Sequence, residues 1–190
     1  KCTFCTYPFY GYSRMRNETI IKHLDDIVAR FDPDIVFFDD AEFFLQKQDT
    51  LELLNIFETR YRFKCITTSR AQYYRKDYIS KDFMQRFSPR WIIWDVGAES
   101  GNQSRLYEIN KGITIQDLKI VADYAGEVGV RAAFSFMVAM PGETEQEMLN
   151  TVFLLENLKQ RARGNIFITY QYFQPIGPTI MAKRAESFGF

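Results

Sequence analysis

The chain has 190 residues, 46% of them apolar and 16% aromatic, enough to bury one sizeable core in a single domain. Lys and Arg number 24 and so do Asp and Glu, leaving no basic excess to neutralise a run of phosphates, which argues against a nucleic-acid substrate. No apolar run approaches the roughly 20 residues that span a bilayer. The segment from Lys1 to Arg16 lacks the order of a signal peptide, so a soluble, cytoplasmic protein with no membrane partner is expected.

The chain opens on CTFC, with Cys2 and Cys5, followed by a loop containing Pro8, Tyr10, Gly11 and Ser13. A helix is predicted over Glu18 to Phe31 and carries the single histidine, His23, on an exposed face. One imidazole excludes zinc or iron sites built from several. Strands and helices then alternate: a strand over Asp34 to Phe38, a helix over Lys47 to Tyr61, a strand over Phe63 to Thr68 and a helix over Lys76 to Phe87. After them come a strand over Trp91 to Gly97, a helix over Ile115 to Val128, a strand over Arg131 to Ala139, a helix over Thr144 to Arg163 and a strand over Asn165 to Phe173. The strands are rich in Ile, Val, Phe and Tyr, as in buried parallel sheets. Thr114 with Asp117 three residues on predicts an N-cap, and Gly129 a helix stop. With one more strand expected upstream, the predicted fold is α/β, a partial, open (β/α)6 barrel, short of the eight units of a closed one. A doubly wound sheet is the alternative, since strand order is not legible in this pattern.

In either architecture the reactive groups collect at the C-terminal ends of the strands. There stand Asp39 and Asp40, then Ser69 and Arg70, then Ala98, Glu99 and Ser100, then Met140, Pro141 and Gly142, and finally Pro175 and Gly177. Cys2 and Cys5 are spaced to ligate one metal or one cluster from a single loop. A lone CxxC also fits half a zinc site, a redox dithiol or two core cysteines. Zinc would need a second pair, which Cys65 has no neighbour to form; Cys65 itself reads as core. Three cysteines, two of them close together at the start, do not make a secreted disulfide framework.

KCTFCTYPFYGYSRMRN resembles the loop of radical S-adenosylmethionine enzymes, in which three cysteines spaced CxxxCxxC bind a [4Fe-4S] cluster and an aromatic precedes the last one. Phe4 fills the aromatic place, and the first cysteine of the pattern falls four residues before Cys2, so the chain is expected to be a truncated core. Further segments follow in the family's order. FFDDAEFF from Phe37, TSRA from Thr68, VGAESGNQSRLYEINKGIT from Val96, MPGET from Met140 and QPIGPT from Gln174 are similar to the subgroup that includes cobalamin-dependent methylases and cyclases. The resemblance implies that residues 1–190 form the radical core, with a cobalamin-binding domain upstream.

It also implies a second cofactor, S-adenosylmethionine, whose ammonium, carboxylate, ribose hydroxyls and adenine each need a partner. Asp39 and Asp40 suit the ammonium, and Lys111, twelve residues after Glu99, or Arg70 suits the carboxylate. Glu99 and Ser69 can take ribose hydroxyls, with Ser100 in the same segment; Phe4, Val138 and the Pro141–Gly142 turn border adenine. Structural readings stand beside these: paired aspartates also cap helices, Arg70 can pair with an acidic neighbour, and Lys111 can be an exposed cap. Tyr7, Tyr10, Tyr12, Tyr170 and Tyr172 either face a substrate or pack.

The activity implied is reductive cleavage of S-adenosylmethionine and hydrogen abstraction from a small-molecule substrate, with an electron donor such as flavodoxin or ferredoxin as partner. Two alternatives remain at this stage. One is a cobalamin-independent member of the methylthiotransferase, dehydratase or epimerase type; the other is a binding module stapled by zinc.

Overall fold

The computed structural model describes residues 2–6, 11, 13–40, 42–74 and 78–189. Helix α1 (Asn17–Phe31) leads into strand β1 (Ile35–Phe38), helix α2 (Lys47–Arg60) and strand β2 (Lys64–Ser69). A 3-10 turn at Ala71–Tyr74 and helix α3 (Lys81–Phe87) precede β3 (Trp91–Glu99), then α4 (Gln103–Glu108) and α5 (Ile115–Val128). Strand β4 (Arg131–Val138), helix α6 (Glu145–Arg161), strand β5 (Ile166–Tyr172) and helix α7 (Ile180–Ser187) complete the chain. The five strands form one sheet in the order β1-β2-β3-β4-β5, and every neighbouring pair is parallel. Sequential parallel strands joined by helical crossovers give the successive β/α units of a barrel, and exclude the reversed strand order of a doubly wound sheet.

Two of the helices begin on capping boxes, the first where the sequence places a cap. Thr114 and Asp117 exchange backbone and side-chain hydrogen bonds in a capping box at the start of α5, and Gly129 ends that helix with φ 80°. Thr144 and Glu147 form the same box on α6. Such caps contribute about 1 kcal/mol each. The two helices then approach closely: a Cβ on Gly126 would lie 2.4 Å from the Arg161 carbonyl oxygen, so only glycine fits there.

Helices and sheet meet in a seam of aromatic rings. Phe38 lies against Phe43, Phe57 and Phe63; Phe44 stacks on Trp91; Trp91 in turn contacts Trp94, and Trp94 meets Tyr74 edge-on. Trp91 Nε1 donates to Thr67 Oγ1 at 2.8 Å, so the indole is buried without losing its hydrogen bond. Each fully buried ring of this kind stabilises the fold by roughly 1.5–3 kcal/mol. Cys65 is buried on the same side, and burial pushes its thiol up to about 12.

Four elements depart clearly from expectation. Strand β3 continues through Ala98 to Glu99, while α4 and α7, short helices of 6 and 8 residues, were not expected. At under two turns to little more than two, their apolar periodicity is too short to register. The helix predicted from Lys76 starts at Lys81 behind Ser80, whose hydroxyl accepts from Phe83 N; residues 75–77 lie outside the described residues. Among the described residues, no helix is long and apolar enough to cross a membrane, and His23 is exposed as expected.

Candidate active site

The concave face of the sheet follows from the register. Thr68 stands opposite Asp95, and Gly97 opposite Ser135, which in turn faces Thr169. These residues share one face, while Cys65, Thr67, Trp94, Val96, Phe134 and Phe136 turn to the helices. The sequence-expected groups gather at the upper rim of the concave face.

The cysteine loop is fixed by main-chain bonds. Thr3 N donates to Ile109 O at 2.9 Å, Met181 N donates to Thr3 O at 3.1 Å, and Cys5 N donates to Cys2 O at 3.4 Å. Cys2 and Cys5, both half-buried, therefore lie between the end of α4 and the start of α7. Phe4, between them, places its ring 5.9 Å from Lys111 Nζ, within reach of a cation–π attraction.

Lys111 Nζ donates to Glu99 Oε1 at 2.5 Å, and both side chains are about nine-tenths buried. Glu99 ends β3 with φ 64°, in the left-handed region that L residues rarely occupy. Gly97 clears the space for the pair: a Cβ there would lie 2.6 Å from Lys111 Nζ and 2.8 Å from Glu99 Oε1. Arg70 Nη2 donates to the Lys111 carbonyl, and Arg70 Nε donates to Gln72 Oε1 at 3.1 Å.

Arg70 also forms an ion pair with Glu42, 3.7 Å from Nε to Oε2. Glu42 Oε1 is buried with no hydrogen-bond partner. Burial pushes its carboxyl up to about 7, against the opposing pull of Arg70 and Lys111. This residue was missed by sequence reasoning, which took the preceding aspartates as the acidic groups. The available signal was its neighbours: an acid directly before Phe43 and Phe44, both of which are buried, is carried inward with them.

A buried arginine supports the Pro141–Gly142 turn. Arg105 Nη1 donates to Glu108 Oε2 at 2.6 Å and to Pro141 O at 3.3 Å. Its Nη2 donates to Gly142 O at 2.9 Å and to Glu147 Oε2 at 2.7 Å. Arg184 bonds the other Glu108 oxygen at 2.5 Å, tying α7 to the same network.

The structure brings Phe4, Arg70, Glu99 and Lys111 together and places several of their expected companions elsewhere. Ser69 alternates to the helix side with Thr67, where its buried hydroxyl neighbours Tyr74, so it does not face a ribose. Ser100 is 1% exposed and its Oγ accepts from Asn102 N at 3.1 Å, shaping the turn after β3. Asp40 is exposed; its Oδ1 accepts from Glu42 N at 2.9 Å and its carbonyl accepts from Thr68 Oγ1, the behaviour of a residue that shapes a turn. Asp39 is exposed beside it. Val138 alternates to the helix side with Phe136, and its carbonyl accepts from Phe173 N. Pro141 is buried, and Gly142 has φ 74° with the Phe188 ring over it. Tyr170 and Tyr172 are exposed on the side opposite Thr169 and away from the concave face. Tyr7, Tyr10 and Tyr12 lie outside the described residues.

As a test of fit, a cluster finds two thiolates, Cys2 and Cys5, on one clamped loop; no group of three or more His, Cys, Asp or Glu able to hold a metal occurs among the described residues. S-adenosylmethionine finds a buried, orphaned carboxylate oxygen on Glu42 beside the cations Arg70 and Lys111, the complement of its ammonium and carboxylate.

The sheet is parallel throughout, and the cysteine loop and the charged groups stand at its C-terminal rim, the side on which β/α folds carry their active sites. Residues 1–155 match the Radical SAM superfamily, and the chain belongs to that family. No curated protein sequence matches the chain. Among solved structures it is similar to the radical S-adenosylmethionine methyltransferase TsrM from Kitasatospora setae, determined with cobalamin and a [4Fe-4S] cluster bound. The TM-score is 0.76 at 17% identity, covering 96% of this chain and 34% of that one. It is similar to the cobalamin-dependent S-adenosylmethionine radical enzyme OxsB, with TM-score 0.64 at 18% identity, over 98% of this chain and 28% of that one. Coproporphyrinogen III oxidase (HemN) from Escherichia coli, a radical SAM enzyme, matches with TM-score 0.65 at 12% identity, over 96% and 44%. At these identities the likeness is one of fold, and the chain spans between about a quarter and a half of each of these proteins.

Proposed function

We propose that this chain is the cluster- and S-adenosylmethionine-binding core of a cobalamin-dependent radical enzyme acting on a small-molecule substrate, with a flavodoxin or ferredoxin as electron donor. The observation that carries the reading is the orphaned Glu42 oxygen, buried beside Arg70 and within the field of Lys111. An unpaired buried carboxylate oxygen is costly, and an arriving ammonium removes that cost.

Cys2 and Cys5 are the thiolates this chain offers to a [4Fe-4S] cluster, and Cys65, buried on the other side of the sheet, is not a ligand. When bound, cluster and S-adenosylmethionine together supply one-electron cleavage of a sulfonium carbon–sulfur bond and hydrogen abstraction from an unactivated carbon. Glu42 holds the cofactor's ammonium. Arg70 and Lys111 face its carboxylate, and Glu99 fixes the Lys111 ammonium so that it does not swing away. Phe4 screens the rim between the thiolates and Lys111 from water.

Cobalamin enters from two sides: the order of the five strand-end motifs, and the fold shared with TsrM and OxsB, whose structures hold it. No residue of this chain is assigned to it.

Anaerobic reconstitution with iron, sulfide and hydroxocobalamin tests the reading. The expected result is formation of 5′-deoxyadenosine on reduction, and S-adenosylmethionine affinity about 10- to 100-fold lower in Glu42→Ala with iron and sulfide content unchanged. Cleavage without cobalamin retained on gel filtration removes the cobalamin subgroup and keeps the radical core. An assembled cluster with no cleavage overturns both.

A further inference from the structure

Below the rim, three side chains are joined in series across three adjacent strands. Thr169 Oγ1 on β5 bonds Ser135 Oγ on β4 at 3.0 Å, and Ser135 Oγ donates to Asp95 Oδ1 on β3 at 3.2 Å. All three face the concave side, and Asp95 lies two inward-facing positions below Glu99. Nothing in the cofactor assignment above uses them.

A hydroxyl has one hydrogen, and that fact fixes the polarity of the row. With Ser135 donating to the carboxylate, Thr169 must donate to Ser135, so both hydrogens are spent within the row. What remains toward the cavity is acceptors only: the second oxygen of Asp95 and the lone pairs of Thr169. Such a surface takes donors and rejects carboxylates and phosphates. Charge narrows the choice. Glu99 and Lys111 neutralise one another, and among the described residues no cation forms an ion pair with Asp95. Burial raises its carboxyl above the ordinary range, with Glu99 adding to the shift and Ser135 and Lys111 opposing it. A positive ligand offsets that cost; a neutral hydroxyl does so only in part.

The surroundings of the row are apolar. Phe37, Ile66 and Ile93 lie in register on the concave face one layer down, and Phe167 stands beside Ala133 at the level of Asp95. Phe37 and Phe167 are 56% and 51% exposed, respectively, two large hydrophobic surfaces turned to an open interior.

We propose that Asp95, carried by Ser135 and Thr169, is the floor of the substrate pocket and takes an ammonium group borne on an apolar or aromatic body. The proposal rests on the reading of the rim above as the cofactor site, since it assigns the space beneath to the substrate. Asp95 and Ser135 are thereby specificity-determining residues, and the substrate class is a primary or secondary amine.

Binding of three probes that share one phenylethyl body tests this without catalysis: 2-phenylethylamine, 2-phenylethanol and 3-phenylpropionate, by equilibrium dialysis against the cluster-loaded protein. The expected order is amine over alcohol over carboxylate, with at least about a tenfold preference for the amine over the carboxylate. Asp95→Asn, nearly isosteric, is expected to abolish the preference while the circular dichroism and melting curve hold. Equal binding of the three probes by the unmutated protein overturns the proposal whether or not the variant folds. So does a preference that survives Asp95→Asn. Addition of S-adenosylmethionine should leave the amine bound; its displacement would assign the floor to the cofactor instead and overturn the substrate reading. Cofactor cleavage to 5′-deoxyadenosine is measured separately, on the unmutated protein. The cofactor reading therefore fails separately, through loss of cleavage in the unmutated protein.

Discussion

Glu99 grips the Lys111 ammonium at 2.5 Å from a backbone held at φ 64°, so the ion pair is made by a residue in a conformation it would not choose alone. A non-glycine residue there costs of order 1–3 kcal/mol. The turn it makes carries its carboxylate over Gly97 toward Lys111. Replacing Glu99 with Gln keeps the shape but leaves a buried ammonium without its counter-charge. We expect a loss of about 3–5 kcal/mol in chemical denaturation. The double variant Glu99→Gln, Lys111→Met should regain at least half of that while still failing to bind S-adenosylmethionine. Additive losses would show that the two residues do not act as a pair.

Gly97→Ala probes the same pair from below. The nearest atoms to the new methyl are the far ends of two flexible side chains, so the protein is expected to fold with a loss of about 1–2 kcal/mol. The displaced ammonium should lower S-adenosylmethionine affinity by about tenfold. Full affinity in a titration of the reconstituted variant would mean that the position of Lys111 is not critical.

Glu42 gives a pH dependence with a definite sign. Its carboxyl is raised from 4.5 to about 7 in the folded protein, so the native state binds more protons than the unfolded chain between those values. This contribution to stability is present below about pH 4.5 and is lost as pH rises through about 7. Glu42→Gln should therefore melt near the unmutated protein in acid and be more stable by about 1–3 kcal/mol at pH 8, in the absence of cofactor. A constant difference between the two proteins across that range would contradict the assignment. Saturating S-adenosylmethionine should flatten the dependence, because its ammonium compensates the ionised carboxylate.

The cysteines divide by location. Cys2→Ala and Cys5→Ala are expected to abolish iron and sulfide retention and the visible absorbance, since a methyl group is no ligand. Cys65→Ala should keep both at a cost of about 1 kcal/mol from lost packing. A full cluster in either of the first two variants would remove that thiolate from the ligand set.

The sequence carried the alternation of strands and helices, the cap at Thr114, and the collection of Arg70, Glu99 and Lys111 at one end of the sheet. It did not carry the facing of each residue. Strands of a parallel sheet are apolar on both sides, so no polar alternation marks which side Ser69 or Val138 takes; only the register with neighbouring strands decides. Asp40 was read as a ligand because strand-end acids are conspicuous, yet its carboxylate closes a turn and the buried acid is Glu42, drawn in by Phe43 and Phe44. The row from Asp95 to Thr169 was invisible for a further reason. Its members are 40 and 34 residues apart in sequence and meet only when three strands are laid side by side.

Thr3 is anchored through its amide nitrogen and carbonyl oxygen, to Ile109 and Met181, and neither anchor reads its side chain. Both anchors are open to any residue at position 3 that keeps an N–H. The placing of the two sulfurs is thereby set by main-chain bonds to distant parts of the chain. A proline at position 3 or at position 181 would erase one anchor while leaving both cysteines in place. Where the two thiolates stand is thus decided, in part, by where the distant helix ends α4 and α7 come to rest.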